Sequence, residues 1–386
     1  MRSATRVTRA VACAAAAGLA AAGCGGGGGG NGSSSAGVVT AFWTDPQNPI
    51  EPANTNEVQG GKVLDMTFRG LMRYNAKTGK AEKAVAESIT TDDQQNFTVK
   101  LRKDRKFSDG TSVTAHSFVD AWNYGALLTN NQVNSYFFEY IEGYDEVHPE
   151  KEGAKPTAKK LSGLKVKDKY TFTVKLNQKF STWPKTLGYG AYAPLPEKFF
   201  KDHKGWLEKP VGNGPYKVES YTRGQVMKLL PNGEYAGPDK PKNKGVDLKV
   251  YTDQNTGYTD LQAGNLDVMD ELPAGQLKNA KKDLGGRYIN QPAGITQTVA
   301  FPLYDKNWKG EKAKLVRKGL SMAINREEVT EKIYHGTREP ATDLTSPVLK
   351  EDGGHKPGMC GDTCTYNPKK AKKLIEQGGG LPGGKV

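Results

Sequence analysis

The sequence is poor in the residues that most often perform catalysis or hold metal ions. It has only five histidines and four cysteines among 386 residues, and the histidines are dispersed along the chain. Neither the Gly-x-Ser-x-Gly pattern of a serine nucleophile nor the His-Glu-x-x-His pattern of a zinc hydrolase occurs. No convincing pair of nucleophile and base is present either. We therefore expect a protein that is not an enzyme and that uses no cofactor or metal ion.

Long apolar runs are also missing once the N-terminal segment has passed. Hydrophobic residues make up 36% of the sequence, and the mean hydropathy is −0.65. A transmembrane helix needs about 20 consecutive apolar residues, and no later stretch meets that requirement. The composition is that of a polar protein whose length suits about two or three domains.

Acidic residues are outnumbered by basic ones, which gives a formal net charge of +13. In a cytosolic protein such a charge would favour nucleic-acid binding. The lysines are scattered along the whole chain, however, and no zinc-finger or RNA-binding motif accompanies them. We interpret the charge as a solvated basic surface and predict no nucleic-acid partner.

The N-terminus has the features of an export signal. Arg2, Arg6 and Arg9 form a basic stretch, and residues 11–23 follow as an almost unbroken run of small and apolar residues. This run is shorter than a helix that crosses a bilayer, and its length and flanks are typical of a signal peptide. We predict a signal peptide over residues 1–23.

The residues after the apolar run indicate a lipid anchor. Ala21, Ala22 and Gly23 lead directly into Cys24, which resembles the bacterial lipobox, where the cysteine is acylated and becomes the first mature residue. Residues 24–36 are rich in glycine and serine, and such runs behave as flexible coil. We predict lipidation at Cys24 and a tethered position on the extracytoplasmic face of the cell membrane. The alternative is an ordinary cleaved secretory signal with an incidental cysteine.

Two further cysteines lie close together near the end of the sequence. Cys360 and Cys364 occur in the stretch Met-Cys-Gly-Asp-Thr-Cys. Outside the cytosol, two neighbouring cysteines most simply form a disulfide, and a loop this small fixes only a local turn. A metal site with His355 is the alternative, but it falls short of the four ligands of a closed zinc site. We predict the disulfide.

Apolar periodicity predicts an alternation of strands and helices. Strands are expected at residues 38–43, 86–91, 97–101, 164–166, 170–176, 216–221, 226–230, 246–251 and 266–269. Helices are expected at residues 61–72, 254–263 and 312–324, and after the capping residues Thr114, Asn325 and Asn367. Because strands alternate with helices on both sides of a hairpin-rich middle, we expect α/β lobes with an inserted β-containing subdomain.

One segment is recognisable beyond its periodicity. Residues 97–118 read FTVKLRKDRKFSDGTSVTAHSF, a strand followed by Leu-Arg, then Phe-Ser-Asp-Gly, then the Thr-Ala start of a helix. The segment resembles the most recognisable motif of the family 5 solute-binding proteins, which are the oligopeptide-, dipeptide-, nickel- and glycoside-binding receptors of ABC importers. Further segments match this family in the same order, at residues 211–221, 261–268, 316–328 and 366–378. Residues 45–61 are similar to the oligopeptide-binding lipoproteins of actinobacteria in particular.

The resemblance implies an α/β, two-lobed fold of the periplasmic-binding-protein type, with an extra subdomain on the first lobe and a ligand cleft between the lobes. It places lobe I at residues 37–75 and 193–298, the inserted subdomain at 76–192, and lobe II at 299–386. Members of the family usually run on past this length. We therefore expect an incomplete second lobe, and weak or absent ligand binding by this chain alone.

The resemblance also implies a ligand and a binding segment. Peptide-binding members pair with the main chain of an extended peptide, and alignment to the helix start places Val58 in the pairing segment, flanked by Asn56, Glu57 and Gln59. The candidates for the cleft wall on the subdomain side are Tyr136, Phe137, Phe138 and Tyr140, of which Tyr136 is the one we select. The alternative is that Val58 and Tyr136 serve ordinary packing. The implied function is that of a monomeric peptide-binding lipoprotein that delivers its ligand to ABC permease subunits with cytoplasmic ATPases.

Three other functions remain open at this point. The same fold is used to bind nickel, a glycoside or another small solute. An exported hydrolase is disfavoured because its motifs are missing. A receptor that uses bound peptide as a signal has the same sequence features as an import receptor.

Overall fold

The computed structural model describes residues 37–291, 293–350 and 353–384. The predicted signal peptide at residues 1–23, the lipidation site Cys24 and the tether at 24–36 lie outside the described residues. All of the described residues belong to the compact unit that begins at Ala36. Within the described part of the chain, none of the helices combines the length and the apolar character that a bilayer span requires.

Strands and helices alternate along the described residues, which confirms the predicted α/β class. The strands are β1 (Val38–Trp43), β2 (Met72–Tyr74), β3 (Ala81–Lys83), β4 (Ala86–Thr90), β5 (Asn96–Leu101), β6 (Leu164–Asp168), β7 (Thr171–Lys175), β8 (Tyr216–Thr222), β9 (Val226–Pro231) and β10 (Gly245–Val250). The helices are α1 (Val58–Thr67), α2 (Ala115–Ala126), α3 (Tyr144–Val147), α4 (Trp183–Thr186), α5 (Glu197–Lys201), α6 (His203–Glu208), α7 (Gln254–Ala263), α8 (Leu277–Leu284), α9 (Gly310–Ala323), α10 (Arg326–Glu328) and α11 (Pro368–Gln377). Apolar periodicity does not predict the β2–β3 hairpin, which forms a small sheet of its own.

The first large sheet has the strand order β1-β10-β9-β8. Strand β1 pairs in parallel with β10, while β9 pairs antiparallel with both β10 and β8. The predicted strand at residues 266–269 is wrong, because only Val268 bridges to Ala41 of β1. The carboxylate of Asp267 accepts the Thr40 N–H at 2.8 Å. The Asp267 side chain therefore binds the Thr40 N–H, a main-chain donor that would otherwise be available to a neighbouring strand. This contact lies where the ladder of main-chain hydrogen bonds would extend.

The second large sheet has the order β4-β5-β7-β6 and contains one pentapeptide twice. The sequence Phe-Thr-Val-Lys-Leu begins at Phe97 in β5 and again at Phe172 in β7. The two copies pair antiparallel, with Phe97 opposite Val174 and Val99 opposite Phe172. These apolar residues are all buried. Because side chains alternate between the two faces of a strand, the apolar residues of both copies lie on the same face of the sheet.

The core beneath the second sheet is centred on Trp122 of α2. Its indole ring contacts the rings of Phe138, Phe172, Trp183 and Tyr192 at centroid separations of 5.4–6.4 Å. The indole N–H donates to the Tyr192 carbonyl at 3.0 Å, so burial leaves no unpaired donor there. The packing is continuous with the first sheet, since buried residues of both sheets belong to one apolar cluster.

The pairing of β1 with β10 brackets a long insertion between the two strands. The first sheet is therefore built from residues on both sides of this insertion in the sequence. The second sheet and its core lie within the insertion. The residue boundaries given for the lobes and the subdomain stay a prediction.

The later part of the chain is mainly helical, and its helices α9 and α11 pack against each other. Gly319 of α9 lies against Ala371 of α11, and a Cβ at Gly319 would come within 2.8 Å of the Ala371 carbonyl oxygen. Helix α11 begins as predicted, because the Asn367 side chain accepts the Lys370 N–H at 2.9 Å.

Candidate ligand-binding site

Helix α1 begins earlier than periodicity predicts, because Glu57 caps it. The Glu57 carboxylate accepts the N–H groups of Gln59 at 2.7 Å and Gly60 at 2.8 Å. These are two of the four N–H groups that a helix start leaves without intrahelical partners. Gly60 allows this contact, since a Cβ there would collide with the Glu57 carboxylate and come within 2.6 Å of the Thr55 methyl group. The helix therefore starts at Val58.

The four predicted binding residues of the first lobe lie at this helix start. The side chain of Val58 points into solvent and is 68% exposed. Asn56 is also exposed, and the main chain of Glu57 is extended, with φ −122° and ψ 162°. The Gln59 carbonyl accepts the indole N–H of Trp43 at 2.9 Å, which fixes α1 to the end of β1. The segment thus offers an extended main chain at Glu57 and an exposed apolar side chain at Val58.

Tyr136, the fifth predicted binding residue, belongs to a stack of three aromatic rings. The ring centroids of Tyr136 and Phe137 are 4.7 Å apart, and those of Phe137 and Tyr189 are 4.3 Å apart. Tyr136 is 53% exposed and Tyr189 is 40% exposed. We call Tyr136, Phe137 and Tyr189 the aromatic shelf. Such a surface gives flat apolar contact area with hydroxyl groups at its edge.

The aromatic shelf is supported from below by Tyr192. The hydroxyl of Tyr192 donates to the Phe137 carbonyl, and its ring packs edge-on against Phe137. Burial raises the pKa of Tyr192 to about 12, so this donor keeps its proton at neutral pH. The shelf is therefore held by the Trp122 core rather than by a mobile loop.

The buried side chain of Asn134 joins the shelf segment to the segment that leads into α1. Asn134 is 0% exposed. Its main-chain N–H donates to the Ala53 carbonyl at 2.9 Å, and its side-chain amide donates to the Thr55 carbonyl at 2.6 Å. On the far side of the shelf, Gly190 lies against α1, where a Cβ would come within 3.2 Å of Leu64 Cδ1. Helix α1 and the aromatic shelf are therefore two walls of one surface.

The charged side chains of the described residues are arranged as pairs rather than as a metal cage. Among residues 37–291, 293–350 and 353–384, no three His, Cys, Asp or Glu side chains form a group suited to a metal ion. In the later part of the chain, Cys360 and Cys364 are joined through their Sγ atoms. His355 instead bonds the Thr345 carbonyl at 2.9 Å.

Sequence reasoning includes Phe137 among the candidates for the cleft wall without identifying it as the centre of the shelf, and it misses Tyr189. Phe137 lies within the aromatic run 136–140, and only the stacking in the structure separates it from the buried Phe138. Tyr189 is distant from that run in sequence, and no local pattern around it indicates exposure.

Comparison with known proteins agrees with this fold. The family described as "Bacterial extracellular solute-binding proteins, family 5 Middle" matches residues 80–385. The oligopeptide-binding protein OppA of Bacillus subtilis is 30% identical over 342 residues, which are 85% of this chain and 59% of that protein. The dipeptide-binding protein DppE of the same organism is 28% identical over 344 residues, covering 86% of this chain and 60% of that protein.

A solved structure shows the same fold. Haemophilus influenzae OppA, determined in complex with the peptide RPPGFSPFR, is 24% identical and superimposes with a TM-score of 0.70. The match covers 89% of this chain and 67% of that structure, so the predicted periplasmic-binding-protein type of fold is confirmed.

These matches establish a family without settling the activity of a whole protein. The chain spans about 60% of the length of the curated relatives it matches. The family is one of binding proteins rather than enzymes, in agreement with the prediction that this chain is not an enzyme. The family match extends over most of the sequence, so the chain belongs to the family 5 bacterial extracellular solute-binding proteins.

Proposed function

We propose that this chain is the substrate-binding component of an ABC importer and that it captures extracellular oligopeptides. The observation that carries the proposal is the surface formed by the start of α1 and the aromatic shelf, which Asn134 holds together. The extended main chain at Glu57 suits pairing with a peptide backbone. The neighbouring rings suit peptide side chains of varied shape.

The names of the relatives support the same ligand class, since one is described as an oligopeptide-binding protein and another as a dipeptide-binding protein. Each main-chain hydrogen bond contributes only about 1 kcal/mol net. A peptide therefore gains affinity from several such bonds together with side-chain contacts. This mode tolerates many sequences, because the main chain is common to all peptides.

The proposal includes the position of the protein and its partners. We infer that Cys24 is acylated and that residues 24–36 tether the binding unit to the outer face of the cell membrane. Anchoring by acyl chains contributes about 0.8 kcal/mol per buried CH₂, so two or more chains are needed for a stable hold. Permease subunits with cytoplasmic ATPases would receive the peptide from a monomeric receptor.

The direct test is ligand-observed NMR with the purified chain and a series of alanine-based pentapeptides. The method detects millimolar binding as well as tighter binding. We expect saturation transfer from the protein to the pentapeptides and none to free alanine. Equal signals for free alanine and pentapeptides, or none for either, would contradict the proposal.

A pair of tyrosine variants locates the binding surface. Tyr136→Ala removes an outer ring of the shelf, and loss of an aromatic contact of this kind weakens binding about three- to tenfold. Tyr304→Ala is the matched control, because Tyr304 is 88% exposed and lies outside the shelf. Equal affinities for the two variants would place the peptide elsewhere on the molecule.

A further inference from the structure

Asp65 of α1 is a carboxylate without a partner beside the aromatic shelf. Among the described residues, no hydrogen bond or ion pair reaches its two carboxylate oxygens, and only its main-chain carbonyl is bonded, by Arg69. Lys62 lies three residues before Asp65 on α1, where helical pairing would occur, and Arg69 lies just beyond the end of the helix, after the extended residue Phe68. The absence of a pair therefore needs a specific cause.

Both cations are engaged by other acids. Lys62 Nζ bonds the Asp270 carboxylate at 2.8 Å, and Arg69 bonds the Asp239 carboxylate at 2.6 Å. Each of these acids lies far from α1 in sequence and bonds its cation directly, whereas the Asp65 carboxylate receives only the longer-range influence of the Arg69 guanidinium. The charge on Asp65 is thus left for a group that the described residues do not supply.

Asp65 is exposed on the surface of α1, with other parts of the protein around it. Its side chain is accessible to solvent, yet flanking protein raises its pKa by burial, and the Arg69 guanidinium offsets this rise only in part. Tyr189 lies within reach of the same charge: burial, the Tyr136 hydroxyl and the Asp65 carboxylate together raise the pKa of Tyr189. Leu64, which precedes Asp65 in α1, lies against Gly190, which follows Tyr189, so Asp65 is on the part of α1 that adjoins the aromatic shelf.

The position of Asp65 on the helix aligns it with the predicted peptide-pairing segment. Asp65 follows Val58 by seven residues, which is about two helical turns, so both side chains lie on one face of α1. Gly61 lies between them on this face, and nothing stands within 4 Å of where its Cβ would be. The separation along the helix is about 10 Å, which an extended peptide covers in about three residues.

We propose that Asp65, with Tyr189 and Tyr136, forms a side-chain subsite for a guanidinium or ammonium group of the ligand, so that peptides carrying arginine or lysine are preferred. The carboxylate supplies a charged acceptor, and the tyrosine rings supply faces that attract cations. The inference rests on the proposed peptide-binding function and narrows its substrate class. A chain with an excess of positive charge needs such a local carboxylate to accept a cationic ligand.

The test uses the full chain and two kinds of probe. The first is a set of alanine pentapeptides in which a single arginine, or its uncharged isostere citrulline, is moved through the five positions. The second is N-acetylarginine amide compared with N-acetylcitrulline amide, which differ in side-chain charge and present no peptide terminus. At one peptide position, we expect the arginine peptide to bind roughly tenfold more tightly than the citrulline peptide. This factor is at the lower end of the range for a hydrogen bond to a charged group, because the site is partly open to solvent.

Two substitutions at Asp65 and one control identify the subsite. Asp65→Asn should abolish the preference for arginine in both probes. Asp65→Lys should reverse it, so that N-acetylglutamate amide binds more tightly than N-acetylarginine amide. Asp92→Asn, in the exposed turn between β4 and β5, should leave every affinity unchanged. Circular dichroism of each variant verifies that the fold is retained.

The outcomes separate this inference from the proposed function. If pentapeptides bind but arginine and citrulline bind equally at every position, the subsite is refuted and peptide binding stands. If no pentapeptide binds but N-acetylarginine amide binds in a manner that depends on Asp65, peptide binding is refuted and the cation subsite stands. If neither probe binds, both proposals fail.

Discussion

Two adjacent glycines in α1 should respond in opposite directions to the same substitution. Gly61 has nothing within 4 Å of its would-be Cβ, whereas a Cβ at Gly60 would collide with the capping carboxylate of Glu57 and come within 2.6 Å of the Thr55 methyl group. We predict that Gly61→Ala raises the free energy of unfolding and that Gly60→Ala lowers it.

The magnitudes follow from the contacts. In a helix, alanine is more favourable than glycine by about 1 kcal/mol, and Gly61→Ala should gain roughly this amount. Gly60→Ala gains the same backbone contribution but loses the cap, which is worth about 0.5–2 kcal/mol. It also forces a methyl group into occupied space, which costs about 1–3 kcal/mol. The net change expected for Gly60→Ala is a destabilisation of about 2 kcal/mol.

The measurement is guanidinium chloride denaturation followed by circular dichroism, with the three proteins compared at equal m values. A second arm repeats Gly60→Ala in a Glu57→Ala background, where the cap is already lost. There the cost of Gly60→Ala should shrink by about the energy of the cap. The reasoning is refuted if Gly60→Ala is as stable as Gly61→Ala, or if its cost is unchanged when Glu57 is absent.

Three further predictions concern other contacts. Hydrogen bonds from lysines, chiefly Lys370, lower the pKa of the exposed Asp362 to about 2. Its contribution is therefore present above the ordinary carboxyl pKa and is lost as the pH falls towards 2, so Asp362→Asn should lower the denaturation midpoint at about pH 6 but not at about pH 2. Trp122→Phe should cost about 2–4 kcal/mol in a denaturant titration, because it leaves a cavity and an unpaired Tyr192 carbonyl. Asn134→Ala should cost about 1–3 kcal/mol by the same measurement and reduce the NMR signal of bound pentapeptide, because it removes the bond between the two walls.

The elements that were predictable from sequence carry their signals locally. Strand β1 has the bounds that alternation predicts, Val38–Trp43. Helix α2 follows Thr114 as predicted, and the Thr114 N–H donates to Ser117 at 3.1 Å. In both cases the deciding contacts lie within a few residues of each other, so no knowledge of the rest of the fold is needed.

Helix α1 shows why a local signal can be misread. Apolar periodicity, carried by residues such as Val63, Leu64 and Phe68, places the start of the helix at residue 61. The structure begins it at Val58, because Glu57 uses both carboxylate oxygens to cap main-chain N–H groups. Glutamate is not among the residues most favoured at a helix N-cap. The cap can be recognised in the sequence only when Gly60 is understood to leave room for the Glu57 carboxylate.

Pairings between distant segments were not predictable, and they include the arrangement of the sheets. The repeated Phe-Thr-Val-Lys-Leu sequence predicts two similar strands, but nothing in either copy specifies that β5 and β7 are neighbours. The register, with Thr98 opposite Thr173, buries the apolar residues of both copies on one face. A shift by one residue would expose them, so the choice depends on the core beneath the sheet.

The distinction between local contacts and contacts between distant segments also decides whether the candidate subsite can be recognised in the sequence. Taken alone, α1 predicts that Asp65 pairs with Lys62 or Arg69, because opposite charges at these helical spacings attract. Such surface pairs contribute less than about 1 kcal/mol, so an acid brought close by the fold can displace them. Asp270 and Asp239 do this at 2.8 and 2.6 Å. The negative charge left at Asp65 is therefore a product of tertiary structure, and a search of helical spacing alone would assign it to a structural ion pair.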